Sequence, residues 1–311
     1  MSRSDIDGDE STRFAGEMAG SLPGGPTPDG ETPPAPDIDI SKPHVARMYD
    51  YFLGGKNNYA ADREAAEQVI AMFPQTRLGA RANRRFLIDA VRWLAGEAGI
   101  RQFIDIGSGL PTQQNVHEVA QEIAADARVV YVDNDPLVRV HADALLATDG
   151  NTAVIEADLR DPQAILNDAT LRGHLDLSRP VGLLMVAVLH FIEDFDTALA
   201  SVRHLCDGLP SGSYLVISHG LAQEGRDDVE EVRKVYRRSS SSAVVRSRAE
   251  IARFFDGLTM VGPGLAHFAD WSIGDAAARR RAYPDDRVVS IDDRSFLAGI
   301  PMMGGIGRID R

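Results

Sequence analysis

The stretch from Phe103 to His117, "FIDIGSGLPTQQNVH", decides how this chain is read. An apolar strand ends in Asp105, Gly107 and Gly109 follow, and Pro111 and Thr112 stand where a dinucleotide loop would carry a third glycine. A buried strand that runs through glycines into a helix is the opening unit of a doubly wound sheet. The departure from the three-glycine pattern then asks which ligand needs an acid and two glycines but no seat for a pyrophosphate.

The pattern repeats outward from that loop. Apolar runs "QFIDI", "RVVYVD", "TAVIEAD", "VGLLMVAVLH" and "SYLVISH" alternate with segments of helical length, which predicts an α/β fold with a mostly parallel sheet and helices on both faces. "VGLLMVAVL" has no polar alternation and is expected to be a central strand buried on both sides. Upstream, "HVARMYDYFLGG", "AADREAAEQVIAMFP" and "ANRRFLIDAVRWLAGEAG" carry helical stripes, with Pro74 ending the second and Gly96 expected in the left-handed position after the third. Downstream, "AEIARFFDGLTMVGPGLAHFADW" reads as a helix and then a strand, and "MMGGIGRID" as a last short strand. No internal repeat is visible at a period of about 20 to 50 residues.

Composition narrows the function classes. Residues 1–36 are rich in Gly, Pro, Ser and acids and are expected to be a disordered tail, because they offer too little apolar surface to offset chain entropy. The remaining 37–311 divide into an N-terminal helical cap (37–98), a ligand-binding core (99–220) and a cover with the last strands (221–311). The net charge of -13 opposes nucleic acid as a partner, and the short basic runs "RKVYRRSSSS" and "AARRRAY" read as solvated surface. The lone Cys206 rules out an intramolecular disulfide and a multi-cysteine metal site, and its helical stripe with Ala198, Leu199, Val202 and Leu205 makes it a core residue. With no apolar run near the roughly 18 residues of a membrane span and no export signal, the expected setting is the cytoplasm, with no membrane partner and no metal.

Three strand ends in succession carry an acid: Asp105, Asp133 in "YVDNDP" and Asp158 in "EADLRDP". An acid after the second strand suits a ribose diol, which both NAD and S-adenosylmethionine possess. The loop separates them. A pyrophosphate wants free backbone N–H groups and no adjacent acid, whereas here Pro111 removes an N–H and Asp105 adds negative charge. A cofactor bearing an ammonium and a sulfonium fits better. Asp158 with Leu159 would meet its adenine, the carboxylate accepting from the exocyclic amine; the plainer role for Asp158, capping the helix in "DPQAIL", is better filled by Asp161.

At this point "YDYFLGGKNNYAADREAAE", "ANRRFLIDAVR", "FIDIGSGLPT", "VVYVDNDP", "ADLRDP", "LLMVAVLHFI" and "GSYLVISH", in that order, resemble the S-adenosylmethionine-dependent methyltransferases common in actinobacteria. The resemblance extends from about Asp37 to Arg311. It implies a class I methyltransferase (Rossmann-like) fold of seven strands with the last antiparallel, and S-adenosylmethionine as cofactor. It puts Asp105, Gly107 and Gly109 at the methionine moiety, Asp133 and Asn134 at the ribose, Asp158 and Leu159 at adenine, and His190 facing the transferred methyl. "SSSSAVV" lies where such enzymes often cover the acceptor, and "IGDAAARRRAYPDDRVVSIDDRSFLAGIP" has no clear counterpart.

The implied function is in-line methyl transfer to a small-molecule acceptor, with a non-catalytic S-adenosylmethionine-binding regulator as the alternative. A hydroxyl or ammonium acceptor needs a base, for which His190 is the first candidate and His219 in "VISHG" the second. In "YDYFLGGKNNY", Gly54 and Gly55 break the helix ahead of Lys56, Asn57 and Asn58. This predicts a lid in which Tyr51, Gly54, Asn58 and Tyr59 close on the cofactor and a tyrosine meets the sulfonium.

Overall fold

The computed structural model describes residues 39–111, 114–140, 150–223, 228–239, 242–274 and 297–310. The expected tail, Thr112 and the basic run in 275–296 lie outside them. Five parallel strands follow the apolar runs: β1 (Gln102–Ile106), β2 (Arg128–Asp133), β3 (Thr152–Glu156), β4 (Gly182–Val186) and β5 (Tyr214–Gly220). With β6 (Thr259–His267) and β7 (Met302–Arg308) they form a seven-stranded sheet of order β3-β2-β1-β4-β5-β7-β6. β7 runs antiparallel between β5 and β6, as the class I methyltransferase fold requires.

β1 and β4 are buried at every position, which accounts for their unbroken apolar runs. One face of the sheet is covered by α3 (Thr76–Gly96) and α4 (Val116–Ile123), whose Phe86, Leu94 and Val119 pack with Phe103 and Val129. The other carries α5 (Pro162–Asn167), α6 (Ala169–His174) and α7 (Phe195–Asp207). Cys206 is buried there beside Val202 and Leu205, as its spacing predicts. Asp161 caps α5 by accepting the Ala164 N–H.

α1 (Val45–Leu53) and α2 (Ala60–Met72) pack on α8 (Asp228–Arg237) around Met48, Phe52, Val69 and Val235. Asp135, just past β2, pairs with His44 at 2.9 Å and lies 3.7 Å from Arg47, whose guanidinium also faces the fully buried Asp62. This buried network holds α1 against the end of β2. α9 (Arg248–Arg253) precedes β6. Gly96 does not take the left-handed position; it ends α3 inside the helix, and Gly99, at φ 71°, makes the turn into β1.

Candidate active site

The carboxyl ends of β1 to β4 open into one cavity of about 630 Å³, lined on its far side by the cap helices. The geometry of the first loop follows from two close approaches. The Gly107 N–H donates to the Val132 carbonyl at 2.7 Å, and the Gly109 N–H donates to the Asp133 carboxylate at 2.8 Å. Gly107 sits at φ +68° with Val188 so near that a Cβ would lie 2.3 Å from its Cγ2. Only glycine is unstrained there.

The three acids occupy different electrostatic settings. Asp105 is buried, and among the described residues none donates a hydrogen bond to its carboxylate. Burial pushes its pKa up to about 7, with Asp133 adding to the shift and Arg84 opposing it. Arg84, from α3, donates to the Gln114 carbonyl at 2.9 Å and so ties the loop to the helix. Asp133 accepts the Gly109 N–H on one oxygen and the Asp135 N–H on the other, which leaves each oxygen a second acceptor position. Burial raises its pKa, against the pull of those two N–H groups. Asp158 is gripped by the Arg160 guanidinium, which holds its carboxyl below the usual range.

Beyond β4 the chain turns through Ala187, a non-glycine residue at φ 56°, held by its N–H donating to Ser218 Oγ at 2.9 Å. The short 3-10 turn Leu189–Phe191 then presents His190 to the cavity. Its Nδ1 is buried with no hydrogen-bond partner among the described residues. Burial, with the Arg246 cation nearby, pushes the imidazole pKa down to about 4, so the ring is neutral near pH 7. Arg246 pins this turn from behind, donating to the carbonyls of Leu189 at 2.9 Å and Ile192 at 2.6 Å, while the Val244 N–H donates to the His190 carbonyl.

All seven residues expected at the cofactor from the strand ends, Asp105, Gly107, Gly109, Asp133, Asn134, Asp158 and Leu159, line this cavity. The sequence model of the S-adenosyl methyltransferase family matches residues 31–308. The chain belongs to that family. It is 41% identical to a Thermobifida fusca protein assigned as a methyltransferase, over 89% of this chain and 99% of that one, with a TM-score of 0.78. It is 43% identical to a DUF574 family protein of Streptomyces avermitilis, over 87% and 99%, with a TM-score of 0.76. No functionally curated protein matches the sequence. The protein is thus a class I methyltransferase that uses S-adenosylmethionine, and the donor set suits that cofactor. Among the described residues the buried Asp105 carboxylate has no hydrogen bond, which suits a cationic ligand, and Ser108 Oγ in the same loop is buried without a partner.

Other expectations for this methyltransferase site need correction. Tyr51, Gly54, Asn58 and Tyr59 are not among the residues lining the cavity. Tyr51 turns outward, its hydroxyl donating to Glu67 and its ring stacked under Arg77 at 4.7 Å. Gly54 is the left-handed cap of α1. Asn58 donates to the buried Asp50 carboxylate at 2.8 Å, and Tyr59 caps α2 through its N–H to Asp62. The polar run after α1 is therefore a knot around Asp50. Helix α1 meets the cavity instead through one stripe, Val45, Ala46, Tyr49 and Phe52. Tyr51→Ala is accordingly expected to leave affinity for S-adenosylmethionine within about twofold by calorimetry, and a tenfold loss would reinstate the lid.

His219 is likewise withdrawn from the cavity. It is fully buried, with Nδ1 at 2.8 Å from the Gly220 carbonyl and Nε2 at 2.8 Å from Arg246 Nη1. Because arginine only donates, Nε2 accepts and Nδ1 carries the proton. Neighbours in β5 point to opposite faces, so Ser218 reaches Asn83 while His219 faces Phe254 and Arg246. Sequence reading missed Arg84, Ser108, Tyr49, Asn83 and Arg246. Only Tyr49 and Asn83 left a signal, as members of helical stripes facing the cavity.

Proposed function

We propose that this enzyme transfers the methyl group of S-adenosylmethionine to a small-molecule acceptor in the cytoplasm. The observation that carries the reading is the carboxylate of Asp105, buried beside the Gly107–Gly109 loop in the lining of the cavity and without a hydrogen bond among the described residues. The bound cofactor supplies a methyl carbon activated by its sulfonium. Asp105, with Gly107 and Gly109 leaving backbone space, takes the ammonium end; Asp133 and Asn134 take the ribose hydroxyls on the acceptor positions the loop leaves open. Asp158, shared with Arg160, and Leu159 take the adenine.

His190 is the base, receiving the acceptor's proton on its imidazole, which is neutral at pH 7. Arg246 acts through His190, fixing the turn that aims it. His219 braces Arg246. Residues 37–98 serve as the cap, 99–220 as the cofactor-binding core and 221–311 as the acceptor-side cover. The net charge of -13 favours a small molecule over nucleic acid as acceptor.

Incubation with methyl-labelled S-adenosylmethionine and cell extract tests this directly. Label is expected in extractable small molecules, matched by S-adenosylhomocysteine. Binding of cofactor with no transfer would favour a regulator, and label confined to protein or nucleic acid would overturn the acceptor class.

A further inference from the structure

The cavity divides by charge. Its charged side chains among the described residues are Arg84, Asp105, Asp133, Asp158 and Arg160. Four of them stand at the ends of β1, β2 and β3, and Arg84 reaches the same glycine loop from α3. Among the described residues, the part enclosed by α1, α2, α8 and the turn after β4 has none. Its walls are the apolar or aromatic faces of Phe52, Val69, Phe73, Phe191, Val232 and Tyr236.

The polar groups within that chamber are mostly spent on one another. Ser218 Oγ donates to Asn83 Oδ1, Asn83 Nδ2 donates to the Tyr49 hydroxyl at 2.9 Å, and that hydroxyl donates to the Ala80 carbonyl at 3.1 Å. Thr76 Oγ1 donates to the Phe73 carbonyl at 2.6 Å. The half-buried His190 ring also lines the cavity here. Among the described residues a carboxylate or phosphate entering here would meet no cation, and an ammonium no acid, so either would lose hydration without compensation. A hydroxyl on an apolar ring would lose little and would have the His190 imidazole, which lines the cavity, as its partner.

Resting on the methyltransferase reading above, we propose that the acceptor is an uncharged, ring-bearing small molecule methylated on a hydroxyl oxygen. In the step, the oxygen lone pair forms the bond to the methyl carbon. The carbon–sulfur bond breaks with its electrons going to sulfur, and the hydroxyl proton passes to the His190 imidazole.

Three probes with one ring and three charges test it: 1-naphthol, 1-naphthoate and protonated 1-naphthylmethylamine, titrated by calorimetry into full-length protein saturated with S-adenosylhomocysteine. 1-Naphthol is expected to bind at least about tenfold more tightly than either charged probe. Val232→Lys, which puts a cation in the chamber, is expected to raise the affinity for 1-naphthoate, and His190→Phe to weaken 1-naphthol about tenfold. A charged probe that equals 1-naphthol, failure of all three to bind a protein that does bind S-adenosylhomocysteine, or unchanged 1-naphthol affinity in His190→Phe would each overturn the proposal. No heat with S-adenosylhomocysteine itself would instead overturn the cofactor reading and take the proposal with it.

Discussion

Gly107→Ala is expected to lower the affinity for S-adenosylmethionine by more than about 100-fold, because the new methyl enters space already taken by Val188. A Cβ at this position would lie 2.3 Å from Val188 Cγ2 and 2.7 Å from its Cβ, in a backbone conformation at φ +68°. The left-handed conformation alone costs an alanine about 1–2 kcal/mol. The overlap costs more, since Val188 is β-branched and has no second easy rotamer. Either the loop lifts away from Val132, or Val188 moves and carries the neighbouring His190 turn with it. Gly109→Ala is the control: at φ +66° it meets nothing within 4 Å, so only the conformational cost remains. Calorimetric titration together with thermal melting separates the two variants. Near-wild-type affinity in Gly107→Ala would mean that this loop does not form the cofactor seat.

Asp105→Asn is expected to make the ligand-free protein more stable at pH 8 while cutting cofactor affinity about 100-fold. Burial raises the folded-state pKa of Asp105 to about 7, above its ordinary value of 3.8. A carboxyl raised in this way contributes stability that is fully present below the unfolded value and is lost as pH rises through about 7. At pH 8 the wild type therefore carries a buried, unsatisfied anion that the neutral asparagine removes, a gain of about 2–4 kcal/mol. The same anion is what a cationic ligand stabilises. Affinity for S-adenosylmethionine should consequently rise with pH and level off above about pH 7, and binding at pH 6 should release a proton, visible as a dependence of the calorimetric heat on buffer ionisation enthalpy. Affinity that is flat from pH 5.5 to 8.5, or an Asp105→Asn protein that melts lower than wild type at pH 8, would contradict this.

What the sequence reveals about the sheet comes from burial. β1 and β4 are shielded on both faces and so read as apolar runs; the acids near the ends of β1 and β2 and just past β3 mark where a parallel sheet opens. The cofactor side of the cavity could be found that way because its residues are fixed by strand order. The acceptor side is assembled from positions distant in the chain, and its pattern is weaker. Tyr51 and Asn58 stand in a polar, glycine-broken run that has the composition of a lid. The decisive interaction is the short-range one from Asn57 and Asn58 to the buried Asp50 carboxylate, which folds the run on itself. Helical phase favoured Tyr49 over Tyr51: with about 100° per residue, Tyr49 shares a face with Val45 and Phe52 whereas Tyr51 does not. Arg246 left no sequence signal, since its partners Leu189, Ile192 and His219 are met only through tertiary packing and two of them through backbone carbonyls.

The measurement that bears most directly on the site is a side-by-side titration of the wild-type protein with S-adenosylmethionine and with NAD at pH 8. Asp105, Asp133 and Asp158 line one cavity whose loop lacks the third glycine of a pyrophosphate seat. Saturable heat with S-adenosylmethionine and none with NAD is the predicted result. Saturation by NAD with no heat from S-adenosylmethionine would contradict it.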